Sequence, residues 1–476
     1  MNRFSRRDWI KGGGLASAGI LLGGCTRLSS GDSPKPNIIL ILADDLGYGD
    51  LGCYGQRQIQ TPQIDRMAAE GMRFTEQYAG STVSAPSRAC LLTGLHTGHT
   101  FVRGNGRVGL RPDPQDLTVA RLLKDAGYHT AMIGKSGVSC DVDDPRHPNR
   151  KGFDHFFGFL GHEAAHRYFP TELWRDGEIL RFPGNHKNEG DKYSQDLFLE
   201  DALRYLEAHV SGPFFLHLSV QLPHADLYAP PRWKNRYEGS FSEDPFEGAH
   251  YRAEPHPKAT FAGMVSRLDW EVGEILAKLR GLGIDKNTLV FFTSDNGPMS
   301  EGGHHRDDFH SSGSLRGGKR DLYEGGIRVP LIARWPGSVR AGSESDLVGA
   351  FWDFLPTACD LAMVPAPGHV DGISYLPTLL GKKNEQWQHE YLYWEFHEQG
   401  GKRAVRIGDW KAVQLGVSVD PNGPIEVYSL KDDQGETKDL AGTKDDVVAT
   451  ARRIFAEART SSELFSWSGE PVEKAL

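Results

Sequence analysis

The sequence has little cysteine, no excess of basic charge and, beyond its first residues, no apolar run long enough to span a membrane. Each shortage excludes something. Five cysteines in 476 residues, none in a CxxC or CxxH arrangement, argue against a zinc site. A formal net charge of −9 argues against a nucleic-acid partner, which would call for a basic face. It also means that an anionic substrate must be drawn in by a local cluster of Arg and Lys. Internal repeats and low-complexity segments are missing too. What is there is 38% hydrophobic and 25% charged, the make-up of a globular chain with ample buried core.

The N-terminus stands apart from the fold. Ser5, Arg6, Arg7, Asp8, Trp9, Ile10 and Lys11 place a twin-arginine pair in the setting of a Tat export signal. The Gly- and Ala-rich stretch from Gly12 to Gly24 is too short and too glycine-rich for a membrane-spanning helix. It ends in Leu22, Gly23, Gly24 and Cys25, which resembles a bacterial lipobox with Cys25 as the lipidated residue. An uncleaved anchor is the alternative. Either way the expected product is exported to the periplasm or cell surface and held at a membrane by its N-terminus alone. With Cys25 assigned to lipid, Cys53, Cys90, Cys140 and Cys359 could form one or two disulfides, whose pairing the sequence leaves open.

A polar tether, Ser29 to Lys35, precedes the first apolar run, Asn37 to Ala43. Further runs follow at Thr130–Ile133, Phe214–Val220 and Leu289–Thr293. Uninterrupted apolar runs of this length are what strands buried on both faces look like, the usual state in a parallel sheet. Helical patterns lie between them. Thr118 to Ala126 opens on a capping Thr, and from Phe261 to Leu279 the apolar residues fall on one face. The expected fold class is therefore α/β, a large and mostly parallel sheet sandwiched by helices. After about residue 376 come short strand candidates at 391–396, 404–407, 410–414 and 426–429, then a helix near 445–458. The expected plan is a signal and tether (1–35), a catalytic domain (36–375) and a small C-terminal α+β domain with an antiparallel sheet (376–476).

Sites in open α/β sheets form at the carboxyl ends of the strands. Asp44 and Asp45 follow the first strand candidate, Lys135 the second, His224 the third, and Asp295 and Asn296 the fourth. Singly, such residues are more often turn formers or solvated ends than chemistry. Jointly, they outline a site. Its oxygen-only donors, Asp44, Asp45, Asp295 and Asn296, suit Ca²⁺ or Mg²⁺.

The stretch Ser84, Ala85, Pro86, Ser87, Arg88, through Thr93 and Gly94, resembles the signature of the formylglycine-dependent sulfatases in its serine form. The resemblance extends over nearly the whole chain: Asp44 to Asp50, Gly134–Lys135, Pro223–His224, Asp295–Gly297, Leu315–Lys319 and Gly325–Pro330 occur in the family's order. It implies that Ser84 is oxidised to formylglycine, by a radical-type maturase because it is Ser and not Cys. A Tat route, which moves folded proteins, fits a modification made before export. The resemblance further implies one Ca²⁺ held by Asp44, Asp45, Asp295, Asn296 and residue 84. Arg88 would hold the formylglycine hydrate, Lys135 and Lys319 would bind sulfate oxygens, and His224 with Lys319 would serve the leaving oxygen. Asp295 would be the base for the attacking hydroxyl. One hydroxyl of the hydrated aldehyde would attack sulfur, and the second would expel sulfate as the aldehyde re-forms.

One departure stands out. Many relatives follow the lysine with Trp-His, whereas this chain has Ser136 and Gly137 after Lys135. His96, His99 and His166 are the candidates to replace that His. Around the site, His166 and His397 are candidates for contacts to a sugar, or for packing the two domains together. The expected substrate is a sulfated oligosaccharide. A metal-dependent phosphatase using unmodified Ser84, and a catalytically silent glycan-binding lipoprotein, are the alternatives.

Overall fold

A computed structural model of the chain describes residues 35–106, 108–139, 144 and 147–467. The export signal, Cys25 and Cys140 lie outside the described residues. The described residues, from Lys35 on, group as one compact unit.

The core is a ten-stranded sheet. At its centre, five parallel strands lie side by side: β9 (Thr288–Ser294), β1 (Asn37–Ala43), β8 (Phe214–Ser219), β4 (His129–Lys135) and β5 (His155–Phe159). Beyond β9 the sheet continues through antiparallel β10 (Leu331–Arg334) to β2 (Met72–Phe74) and β11 (Ser343–Ser345). Beyond β5 it ends in the hairpin of β6 (Glu172–Arg175) and β7 (Glu178–Arg181). A two-residue pairing of β3 (Gln77–Tyr78) with β12 (Gly349–Ala350) stands apart.

The β1 run is uniformly apolar because both of its faces are covered. Ile39, Ile41 and Ala43 pack with α1 (Pro62–Ala69), α4 (Ser194–Ala208) and α6 (Pro257–Gly281). Ile38, Leu40 and Leu42 face the other way, onto α2 (Ser84–Thr93), α3 (Val119–Asp125) and the helix Phe354–Leu361. The short α5 (Pro231–Lys234) lies against α6. In α3, the Thr118 side chain accepts the Arg121 N–H, as its position before the apolar run implied.

The C-terminal segment adds a four-stranded antiparallel sheet, β13 (Leu392–Phe396), β14 (Lys402–Ile407), β15 (Trp410–Leu415) and β16 (Glu426–Ser429). One face, with Trp394, Ala404, Val413 and Tyr428, packs on Tyr78, Val83, Cys90 and Trp352. The other buries Tyr393, Val405 and Val427 under the helix Asp445–Glu457. Glu395 of β13 is fully buried and gathers Arg103, Arg459, His397 and the Tyr393 hydroxyl at 2.8–2.9 Å. Cys53, Cys90 and Cys359 are free thiols, so none of the three is in a disulfide.

His155, at the start of β5, bridges Asp176 at 2.9 Å and Asp201 at 2.6 Å. Burial alone would lower its pKa, but the two carboxylates outweigh that and hold it at about 9. A pKa raised above the unfolded value gives stability fully present below about pH 6.5 and lost as pH rises through about 9. The melting temperature is therefore expected to decline between these limits, more steeply than in His155→Gln. Parallel slopes for the two proteins would rule this pair out as the cause.

Candidate active site

Because β1, β4, β8 and β9 are parallel, their carboxyl ends lie on one edge of the sheet, and the polar residues after them converge. Ser84 joins them from the first turn of α2. All ten residues of α2 are buried, and it closes on Gly94 in the left-handed conformation that glycine adopts freely. The Ala85 N–H is taken by the Asn105 side chain at 3.0 Å, and Pro86 has none to satisfy. The positive end of the helix dipole thus sits at the Ser84 oxygen, where it favours negative charge.

Ser84 Oγ donates to Asp44 Oδ1 at 3.0 Å and accepts from Lys135 Nζ at 3.2 Å. Lys135 also binds Asp44 Oδ2 at 2.6 Å. One turn along α2, Arg88 donates from Nε and Nη2 to Asp295 Oδ2 at 3.0 and 2.7 Å, and from Nη1 to the Lys135 carbonyl at 3.2 Å. Asp295 Oδ1 accepts the Asp45 N–H at 3.1 Å, and Asn296 donates to Asp45 Oδ1 at 2.7 Å. Lys319 Nζ reaches Asp45 Oδ2 at 2.8 Å, His224 Nε2 at 3.2 Å and Glu301 Oε2 at 3.1 Å. Ser84, Arg88, Lys135, His224, Asp295, Lys319, Asp44, Asp45 and Asn296 therefore form one continuous cluster, nearly all of it out of water.

Three carboxylates so close to one another raise each other's cost of ionisation. Burial, offset in part by Lys319 and reinforced by Asp44, lifts Asp45 to about 7. Burial and Asp44 likewise raise Asp295. Asp44 goes the other way: burial opposes its charge, but the Lys135 and Arg88 cations hold it well below the usual carboxylate range. His224 gives Nδ1–H to the Ala225 carbonyl, so the lone pair on Nε2 faces Lys319. Burial, with Lys319 next, keeps this imidazole neutral.

The donor set fits a hard divalent cation. Asn296 Oδ1 is buried with no hydrogen-bond partner among the described residues, beside a surplus of carboxylate oxygens, and an orphaned acceptor of this kind suits a metal. Donor atoms of Asp44, Asp45 and His224 also lie within 4.8 Å of one another.

His166 lies at the site, its ring stacked on His224 at 4.5 Å. His397 does not: its Nε2 binds Glu395 at 2.9 Å and its ring stacks on Trp467 at 3.9 Å, so it packs the C-terminal sheet. His96 and His99 are past the far end of α2, about 15 Å of helix from Ser84. They gather around Asp371, with His99 Nδ1 at 2.9 Å. His96 Nδ1 accepts the Gly98 N–H, which puts its proton on Nε2, 3.7 Å from Asp371 Oδ1. Of the three histidines weighed for the missing one, only His166 is near the nucleophile's cluster. Gly137 itself has no room for a side chain: φ is +74°, and a Cβ would come within 2.5 Å of Arg88 Cδ.

Three neighbours escaped the sequence reading as site residues. Glu301 bridges Lys319 and Arg320 and accepts from Tyr251 at 2.9 Å. It sits in an aperiodic loop, and only its place six residues after Asp295 hints at a role. His162 packs edge-on to His166 at 5.3 Å. Arg320 directly follows Lys319.

A buried nucleophile position ringed by fixed cations and carboxylates, at the strand ends of an α/β sandwich, defines a hydrolase for an anionic ester. Comparison with known proteins makes the class specific. The Sulfatase family model matches residues 36–364, and that of the N-sulphoglucosamine sulphohydrolase C-terminal region matches residues 317–458. The chain belongs to the sulfatase family and is a sulfuric ester hydrolase. It is 34% identical over 414 residues to N-acetylgalactosamine-6-sulfatase of Mus musculus, covering 81% of this chain and 73% of that one. With arylsulfatase A of Homo sapiens the figures are 33% over 446 residues, 86% and 83%. The solved structure of Ps i-CgsB in complex with k-i-k-neocarrahexaose superposes with a TM-score of 0.78 at 28% identity, covering 92% of this chain and 95% of that one.

Proposed function

We propose that the protein is an exported, lipid-anchored sulfatase that removes sulfate from a sulfated carbohydrate through formylglycine formed at Ser84. The observation that carries this reading is the placing of Ser84 Oγ between Asp44 and Lys135, inside the full modification motif. The similarity to N-acetylgalactosamine-6-sulfatase and to a structure in complex with a neocarrahexaose supports a sugar substrate. The Tat-type residues Arg6 and Arg7 and the lipobox ending in Cys25 support export and anchoring, and the serine form supports a radical-type maturase.

In this reading the hydrated aldehyde supplies an attacking hydroxyl and a second one that later releases the sulfate. Asp44, Asp45, Asp295, Asn296 and residue 84 would hold Ca²⁺, which would supply positive charge to offset that of the sulfate ester. The remaining roles belong to side chains in place. Lys135 Nζ, 3.2 Å from Ser84 Oγ, binds an oxygen of the sulfate. Arg88 locks Asp295 against the base of the pocket, where the Asp295 carboxylate takes the proton from the attacking hydroxyl. Lys319 carries a proton toward the leaving oxygen, and His224, with its lone pair turned to Lys319, holds that ammonium in place.

The test is peptide mass spectrometry alongside hydrolysis of sulfated mono- and disaccharides, on protein made with and without a radical-type maturase. The Ser84 peptide should be lighter by two hydrogens only in the active preparation. Full activity with unmodified Ser84 would overturn the mechanism.

A further inference from the structure

Arg320 adopts φ +74°, a left-handed conformation that long side chains rarely take. The backbone is pinned there from both sides. Its N–H donates to the Thr82 carbonyl at 3.1 Å, two residues before Ser84, and its carbonyl accepts Lys402 Nζ from β14 at 2.6 Å. Backbone strain that the surroundings over-determine in this way clusters at functional sites. Here it leaves the guanidinium at the solvent edge of the buried cluster. The side chain is 35% exposed, while the Lys319 side chain before it is 5% exposed.

Only Nη1 of Arg320 is engaged, by Glu301 Oε1. Nε and Nη2 make no hydrogen bond among the described residues, which leaves one edge of the planar fork open. Glu301 fixes the distance, since its other oxygen holds Lys319 Nζ at 3.1 Å. Glu301 thus holds Arg320 Nη1 and Lys319 Nζ one carboxylate's width apart, and the open edge belongs to that same guanidinium. Asp45 and Glu398 are the other acidic groups in its field. In a chain of net charge −9, a strained, half-free arginine beside the catalytic lysine is not ordinary surface charge.

We infer that Arg320 is a specificity-determining residue, which binds a second anionic group on the substrate next to the ester being cleaved. The inference rests on sulfate ester hydrolysis at Ser84 and adds that the preferred sugar carries two negative groups. A sulfate and a uronate carboxylate share the geometry that a guanidinium edge matches.

The experiment compares matured wild type, Arg320→Gly and Arg320→Lys on three disaccharides: one monosulfated and otherwise neutral, one disulfated, one monosulfated with a uronate. Glycine suits φ +74°, so Arg320→Gly should keep the fold, as its melting curve will report. Wild type is expected to prefer one or both doubly charged sugars by kcat/KM. In Arg320→Gly that preference ratio should drop roughly tenfold, through KM, with Arg320→Lys in between. Which doubly charged sugar loses its advantage identifies the second group. If all three substrates slow by the same factor, Arg320 merely positions Lys319 through Glu301 and the inference is wrong, while the sulfatase reading stands. Turnover of none of them by wild type would sink both.

Discussion

Replacing Ser84 by alanine is expected to lower kcat toward any sulfate ester by on the order of 10⁴-fold or more, with the fold intact. The size follows from what is lost. Under the proposed mechanism an oxygen on residue 84 forms the bond to sulfur, and alanine has none. Asp44 and Lys135 would still pair at 2.6 Å, and Arg88 would still hold Asp295. Alanine is also at home in the first turn of α2, so no helix signal is lost. The melting temperature should stay near that of wild type while turnover falls to the level of bound, positioned but unattacked substrate. Turnover within tenfold of wild type in Ser84→Ala would place the nucleophile elsewhere.

The second large effect is on stability. Glu395→Gln should cost about 3–5 kcal/mol, since it removes the charge from a buried carboxylate whose cationic partners stay behind. Arg103 comes from the loop after α2 and Arg459 from the segment after the last helix, so this one carboxylate ties the C-terminal sheet to both. Burial opposes its charge, but His397, Arg103 and Arg459 hold its pKa far below the usual range. That stability is present above the unfolded pKa and is lost only as pH falls through the depressed value, well into acid. Thermal denaturation at neutral pH should show a melting point several degrees lower in Glu395→Gln. An unshifted transition would mean that the two arginines find other partners.

Much of this was legible in the chain. Each apolar run read as a doubly buried strand is one, because β1, β4, β8 and β9 are covered on both faces and carry no alternation to confuse. The residues just after them converge, as parallel strands require. The helix of Ser84 gave no such signal: with all ten residues buried, α2 has no polar face to mark its period. Strands β2, β6, β7, β10 and β11, at three or four residues each, are too short for periodicity to register. Glu301 and Arg320 were invisible for another reason. Arg320 is held by Thr82 and Lys402, and Glu301 by Tyr251, Lys319 and Arg320, partners mostly far away in sequence, and nothing local announces that.

The burial of α2 also sets an order of events. Ser84 is 1% exposed, at the end of a helix enclosed on every side, and an enzyme that oxidises a side chain must surround it. Under the proposed modification, maturation has to finish before the sheet and α2 close together. A chain that folds first is sealed as a serine protein, and no later encounter with a maturase repairs it. The yield of active enzyme is then decided by a race between modification and folding, and slower folding would favour it.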